Sequence, residues 1–191
     1  MKPVIILCLL FGACSVPAFG GAADDLQLRV ELTKGERSKD SSSRTTTISI
    51  EPRVDTIVWK QTSSGYHGPT GAPPPSRKEY RLSPAERQKL IALIESKNLL
   101  MTKSIELPKD PSSYSYFVMS ITSSLGARKG AISIRGPRTA VQVKAETLYQ
   151  DSIALVKELY RIINSQGESV SFEELVVAKR TYPPRRNHAQ G

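Results

Sequence analysis

Residues 26–33 read LQLRVELT, in which apolar and polar side chains strictly alternate. Successive side chains of a β-strand point to opposite faces of the sheet, so the alternation places Leu26, Leu28, Val30 and Leu32 on one face. The stretch therefore predicts a strand with one face in the core and the other in solvent.

Two more strands are predicted after this one. Residues 34–44 are polar and predict a hairpin connection. Residues 45–51 resume with β-branched side chains, with Ile48 and Ile50 on one side. Pro52 has no N–H for a ladder hydrogen bond and indicates a bend before a third strand over residues 53–62. Together these segments predict an antiparallel meander.

Residues 63–78 change in character, because glycines and prolines interrupt the apolar pattern. This composition predicts a long exposed loop, and long loops inside compact domains often carry binding residues. We expect Gly65, Tyr66, His67 and Gly68 of this loop to contact a partner.

The clearest local signal is a helix start at Ser83, Pro84 and Glu86. Ser83 is suited to cap the first free amides, Pro84 fits the first helical position, and Glu86 completes a capping box. The apolar stripe then predicts a helix over residues 84–97 that stops at Asn98. Two prolines in residues 102–113 predict a loop.

A second hairpin is predicted over residues 116–123 and 131–135, which alternate around a glycine-bounded turn. The apolar seam that follows predicts a long helix over residues 139–164. Residues 139–143 are also compatible with a strand, in which case the helix begins near Thr147. Ser171 is a candidate cap for one short final helix.

These elements predict an α+β fold in the order β-β-β-α-β-β-α. We expect one antiparallel sheet of about five strands, with the two main helices packed on one face because each has a single apolar stripe. The other face of the sheet should be exposed. A single domain is expected over residues 24–178, followed by a basic flexible tail over residues 179–191.

Residues 1–23 have the composition of an export signal. Lys2 precedes a short apolar run, and small residues follow it. Signal-peptidase cleavage after Ala18 or Ala23 would release a soluble protein, whereas the sequence before Cys14 resembles a lipobox and would make Cys14 a lipidation site. Either route predicts a protein of the periplasm or cell envelope, or one that is secreted.

The formal net charge is +9, from 27 Lys and Arg against 18 Asp and Glu. This excess favours an anionic partner, either an acidic protein surface or an anionic envelope component. Nucleic acid is not expected, because an exported protein rarely meets it. Membrane contact is expected only through a lipid anchor, with Lys179, Arg180, Arg185 and Arg186 as anionic-surface contacts in the tail.

The sequence contains no motif of a catalytic, metal or cofactor site. The two histidines, His67 and His188, lie in the glycine and proline loop and in the tail, and no nucleophile motif accompanies them. Both cysteines lie at or before position 14, so no disulfide is expected in the mature chain. We therefore expect no cofactor, no metal and no enzymatic activity, and we expect a binding module.

A family layout is also visible. Residues 63–68, SSGYHG, are followed by residues 79–86, EYRLSPAE, with Leu90 and Leu93 in the helix. This layout resembles small exported bacterial proteins of the emfourin-like group, over residues 58–163. The resemblance implies an α+β fold and an alternative function, inhibition of a thermolysin-type metalloprotease.

Overall fold

The computed structural model describes residues 25–36, 41–65, 71–108, 114–138 and 146–170. Within these ranges lie seven strands, namely β1 (Leu26–Glu36), β2 (Ser42–Ile50), β3 (Thr56–Gly65), β4 (Ser76–Arg81), β5 (Thr102–Glu106), β6 (Ser115–Leu125) and β7 (Arg128–Pro137). They also contain two helices, α1 (Pro84–Ser96) and α2 (Thr147–Asn164). The predicted α+β class is confirmed.

All seven strands form one sheet in the order β4-β3-β2-β1-β6-β7-β5. Neighbours pair antiparallel except β5 and β7, which are parallel. The strand predicted from residues 26–33 is β1, at the centre of the sheet. Its Val30 faces Ile48 of β2 on one side and Ile121 of β6 on the other.

The register places every large buried strand side chain on one face of the sheet, which we call the core face. Buried side chains of both helices belong to the same core as these strand residues. The ring of Phe117 in β6 packs edge to face on Tyr149 of α2 with centroids 6.0 Å apart. The hydroxyl of Ser123 donates to the carbonyl of Leu99, just after α1, at 2.9 Å.

The opposite face of the sheet is covered by neither helix. The centre of this face carries short polar side chains that are half-buried, namely Thr33, Thr45, Thr47, Ser49, Ser120 and Ser133. The hydroxyls of Thr33 and Thr45 are 2.9 Å apart across the β1–β2 pair. An antiparallel sheet of this kind keeps one face in the core and one in water.

The prediction of about five strands is wrong, because β4 and β5 were assigned to loops. Strand β4 begins inside the predicted loop over residues 63–78 and continues to Arg81, and β5 lies inside the predicted loop over residues 102–113. Both are edge strands. Only one side chain of β4, Tyr80, is buried, and none of β5 is, so neither strand shows the apolar alternation from which a strand is predicted.

The helix predicted over residues 139–164 begins later than expected. Glu146 is extended, with φ −75° and ψ 112°, and α2 starts at Thr147. The alternative start near Thr147 is the correct one, while residues 139–145 and the candidate helix after Ser171 lie outside the described residues. Ten side chains of α2 are buried, which accounts for the apolar seam.

The predicted start and stop of α1 are both confirmed. The Ser83 hydroxyl accepts from the Glu86 N–H at 3.3 Å, and the Glu86 carboxylate accepts from the Ser83 N–H at 3.0 Å. Pro84 occupies the first turn. Asn98, the predicted stop, has a left-handed φ of 51°, which asparagine tolerates better than most residues.

Ion pairs connect the two helices on the outer side of the core. The carboxylate of Glu158 in α2 pairs with Lys89 of α1 at 3.2 Å and with Arg161 one turn later at 2.7 Å. Asp151 pairs with Lys97 at 2.9 Å. Hydrogen bonds from Arg161 hold the pKa of Glu158 below its ordinary value, and Lys89 lowers this pKa further. Partial burial of the carboxylate acts in the opposite direction.

Replacing Ser83 with Ala should lower the free energy of unfolding by about 1 kcal/mol, because the Glu86 N–H at the start of α1 loses its side-chain acceptor and the Glu86 carboxylate loses the Ser83 hydroxyl. Ser96→Ala, at the other end of the same helix, is the matched control, since its hydroxyl only donates back to the Leu93 carbonyl. Chemical denaturation of both variants measures the difference. Equal losses in the two variants would contradict a specific role of the cap.

Replacing Glu158 with Gln should destabilise the protein near neutral pH by about 1 kcal/mol, since two half-exposed cations lose their partner. The lowered pKa of Glu158 means that its contribution is complete above its ordinary pKa of 4.5 and is lost as the pH falls through the folded-state value. The stability gap between wild type and Glu158→Gln should therefore close in acid. Urea unfolding across this range tests it, and a gap independent of pH would contradict the ion-pair account.

Candidate functional site

Of the residues predicted to contact a partner, the structure describes Gly65 alone. Tyr66, His67 and Gly68 lie outside the described residues, and so do Cys14 and the tail cations Lys179, Arg180, Arg185 and Arg186. The predicted loop over residues 63–78 is shorter than expected on both sides, because β3 continues to Gly65 and β4 begins at Ser76.

Gly65 has a structural reason to be glycine. Its φ is +91°, and a Cβ built on it would lie 1.9 Å from the carbonyl oxygen of Ser41. Gly65 pairs with Ser42 at the end of the β2–β3 ladder. A side chain would therefore break the close approach of the two strands, and this accounts for the residue without a ligand.

A cleft of about 460 Å³ opens on the core face, where β1, β2 and β3 extend beyond their most buried residues. Leu32, Thr46 and Trp59 belong to its floor, and Tyr160 of α2 borders it together with Ser169 and Val170. Lys34, Arg44 and Gln61 complete the lining. We call this lining set, together with the neighbouring Arg138, the basic cleft.

Lys34 and Arg44 are directly opposite one another in the β1–β2 pair. Because Leu32 and Thr46 are the preceding buried pair on the core face, Lys34 and Arg44 lie on that same face. Two like charges in directly opposed positions are unfavourable by themselves. Such a pair becomes favourable when an anion lies between or above the two cations.

A second depression of about 240 Å³ adjoins the cleft and shares Lys34 and Arg44 with it. Arg138, just after β7, contributes a third cation, and its backbone N–H donates to the Ser115 carbonyl at 3.2 Å. Glu36 is the one carboxylate that lines either depression among the described residues. Cations therefore outnumber carboxylates at this end of the sheet.

The walls of the cleft add neutral hydrogen-bond donors. Gln61 donates to the Thr46 hydroxyl at 3.4 Å, across the β2–β3 pair. The Trp59 side chain is only 6% exposed, and its indole N–H has no hydrogen-bond partner in the part of the chain that the structure describes. The charged groups of the site are therefore its main polar feature, and the cations among them suit oxygen acceptors.

The chemistry that this arrangement supports is binding of carboxylate or phosphate oxygens. Arginine presents a planar fork that matches such groups, and lysine adds a point charge. Among the residues that the structure describes, no three His, Cys, Asp or Glu side chains lie close enough together to hold a metal ion. No helix in the described ranges is long and apolar enough to cross a membrane.

The sequence analysis missed this site because it placed residues 34–44 in a hairpin connection. In the structure β1 continues to Glu36 and β2 begins at Ser42, so both Lys34 and Arg44 belong to strands. The signal that could have found them is the two-residue alternation of side chains along each strand. Lys34 continues the even-numbered apolar positions of β1, and Arg44 precedes the buried Thr46 at the same spacing.

No protein-family model matches this chain, and no curated protein sequence matches it. The emfourin-like layout therefore stays a prediction from the sequence.

Proposed function

We propose that this protein is an exported, non-enzymatic binding module that uses the basic cleft to contact an anionic partner of the cell envelope or periplasm. The observation that carries the proposal is the direct cross-strand pairing of Lys34 with Arg44 on the core face. The two cations are brought together by the fold, and Arg138 lies beside them. The proposed contact surface therefore lies at the end of the β1–β2 pair, whereas the sequence analysis expected it in the loop over residues 63–78.

Shape supports this site over a flat charged surface. A depression of about 460 Å³ is within the size range of small-molecule and peptide-side-chain sites. Its apolar floor, from Leu32 and Trp59, is next to the cations. This apolar floor strengthens the attraction between a cation and an entering anion, because it excludes water from one side.

The net charge of the whole chain supports an anionic partner in a second way. A charge of +9 attracts polyanions at long range, and this attraction weakens as salt is added. Steering of this kind acts on any anion, whereas the cleft adds two cations in fixed positions. The experiment must therefore separate binding by the two cations of the cleft from attraction by the net charge of the whole chain.

The double variant Lys34→Ala/Arg44→Ala should bind anionic ligands about tenfold more weakly than wild type, because two charge-assisted contacts are lost. The chain has a single tryptophan, Trp59, and it lines the cleft. Its fluorescence can therefore report occupancy during titration with polyglutamate, inorganic phosphate or phosphatidylglycerol vesicles.

The matched control is Lys103→Ala/Lys129→Ala. Both lysines are exposed, and they lie on β5 and β7, on the other side of β1 from the cleft. This control loses the same net charge. Equal weakening in both double variants would mean that binding depends on total charge alone, and this result would overturn the assignment of the cleft.

Export is the second element of the proposal, and it rests on the composition of residues 1–23. In a bacterial host, intact mass and cell fractionation of wild type beside Cys14→Ser test the route. A lipid-sized mass increase that disappears in Cys14→Ser would establish an anchored form. An unmodified chain that begins near residue 19 or 24 would establish free export, and a full-length cytosolic chain would contradict export altogether.

A further inference from the structure

Among the described strands, β4 forms one edge of the sheet and pairs with β3 alone. The outer side of such a strand presents backbone N–H and C=O groups to which another strand can add. Natural sheets usually protect an exposed edge with charges, bulges or a covering segment. What covers β4 therefore decides whether its edge can accept a partner.

One residue, Gln166, occupies the outward backbone groups of Arg81. The Arg81 N–H donates to Gln166 Oε1 at 2.9 Å, and Gln166 Nε2 donates to the Arg81 carbonyl at 2.6 Å. These two hydrogen bonds are the ones that the peptide groups of a neighbouring strand would form. The Gln166 amide therefore lies where an added strand would have to lie.

Gln166 belongs to a short segment after α2, residues 165–170, which we call the strap. Asn164 anchors the far end of the strap reciprocally, since it donates to the Val170 carbonyl at 3.0 Å and accepts from the Val170 N–H at 2.9 Å. Gly167 turns the chain with a φ of +87°. These contacts hold the strap against the edge.

A second contact from the strap reaches β4. Glu168 pairs with Lys78 at 2.6 Å, and this hydrogen bond raises the pKa of the Lys78 ammonium. The strap thus meets β4 at two positions, Arg81 and Lys78, on either side of Glu79. No other described segment lies along this edge in the sheet order.

The remaining outward groups of β4 belong to Arg77 and Glu79. Outward-facing residues alternate along an antiparallel strand, so these two residues point their backbone groups in the same direction as Arg81. Neither has a hydrogen bond from these groups to any residue that the structure describes. Their side chains pair with each other within the strand.

The sequence of β4 is complementary to itself in one antiparallel register. If two copies of β4 pair about Lys78, Arg77 of each faces Glu79 of the other, and opposite charges in opposed positions stabilise a strand pair. The two Lys78 side chains would then meet, and Glu168 supplies a counter-charge for each. If the two strands paired about Arg77 or about Glu79 instead, Arg77 would face Arg77 or Glu79 would face Glu79, and like charges in opposed positions are unfavourable.

We infer that the β4 edge is a strand-docking surface for a second copy of this chain, held closed by Gln166. In this register Arg81 of one copy faces Pro75 of the other, so with Gln166 in place the chain that leads into the second β4 cannot lie beside Arg81. Release of Gln166 frees the full edge. This inference is independent of the basic cleft and of the proposed function.

The test compares self-association of wild type, Gln166→Ala and Gln88→Ala by sedimentation velocity over a range of concentrations. Gln88 is an exposed glutamine of α1 with no side-chain hydrogen bond among the described residues, so it is the matched control. We expect wild type and Gln88→Ala to be monomers. Gln166→Ala should dimerise about tenfold more tightly or better, because the Gln166 side chain no longer lies in the path of the second copy.

A second substitution tests the edge itself. Glu79→Pro removes an N–H that points away from β3, so it spares the β3–β4 ladder while blocking strand addition. In the Gln166→Ala background it should return the protein to a monomer with an unchanged circular dichroism spectrum. A folded Gln166→Ala variant that stays monomeric like wild type would overturn the inference. A dimer that survives Glu79→Pro, or a wild-type dimer of equal affinity, would overturn it as well.

Discussion

The structure depends on β1, whose alternating side chains are buried between the helices and two neighbouring strands. Leu28, Val30 and Leu32 are almost completely buried, and each is next to a partner on both β2 and β6. A one-residue slip of β1 would expose this whole set and bury Arg29 and Glu31 in its place. The register of β1 is therefore strongly determined, and through it the registers of β2 and β6 are set.

The same constraint explains where the basic cleft lies. The β1–β2 hairpin extends past the last buried pair, Leu32 and Thr46, and the next pair on the core face is Lys34 and Arg44. The face on which these two side chains lie is fixed, because in a strand a side chain two positions beyond a core residue shares its face. The register that buries the leucines thus also brings two cations together at this end of the sheet.

The strap contacts both the β4 edge and the basic cleft. Gln166 closes the edge of β4 at Arg81, while Ser169 and Val170, a few residues later, border the cleft. Both contacts of the segment follow from the direction in which the chain leaves α2. A short stretch with little apolar content can hold this position because side-chain amides, at Asn164 and Gln166, replace the backbone ladder that a strand would provide.

The sequence by itself determined the local and periodic features: the alternation of β1, the cap of α1 at Ser83, the stop at Asn98 and the apolar seam of α2. Each of these is encoded in residues close together along the chain, and local physics suffices for it. Only the tertiary structure decided that β4 and β5 are strands, since edge strands are stabilised by hydrogen bonds to a neighbour and need no buried face. It also decided the pairing of Lys34 with Arg44 and of Gln166 with Arg81, because these contacts join residues 10 and 85 positions apart and exist only once the register of the sheet is set.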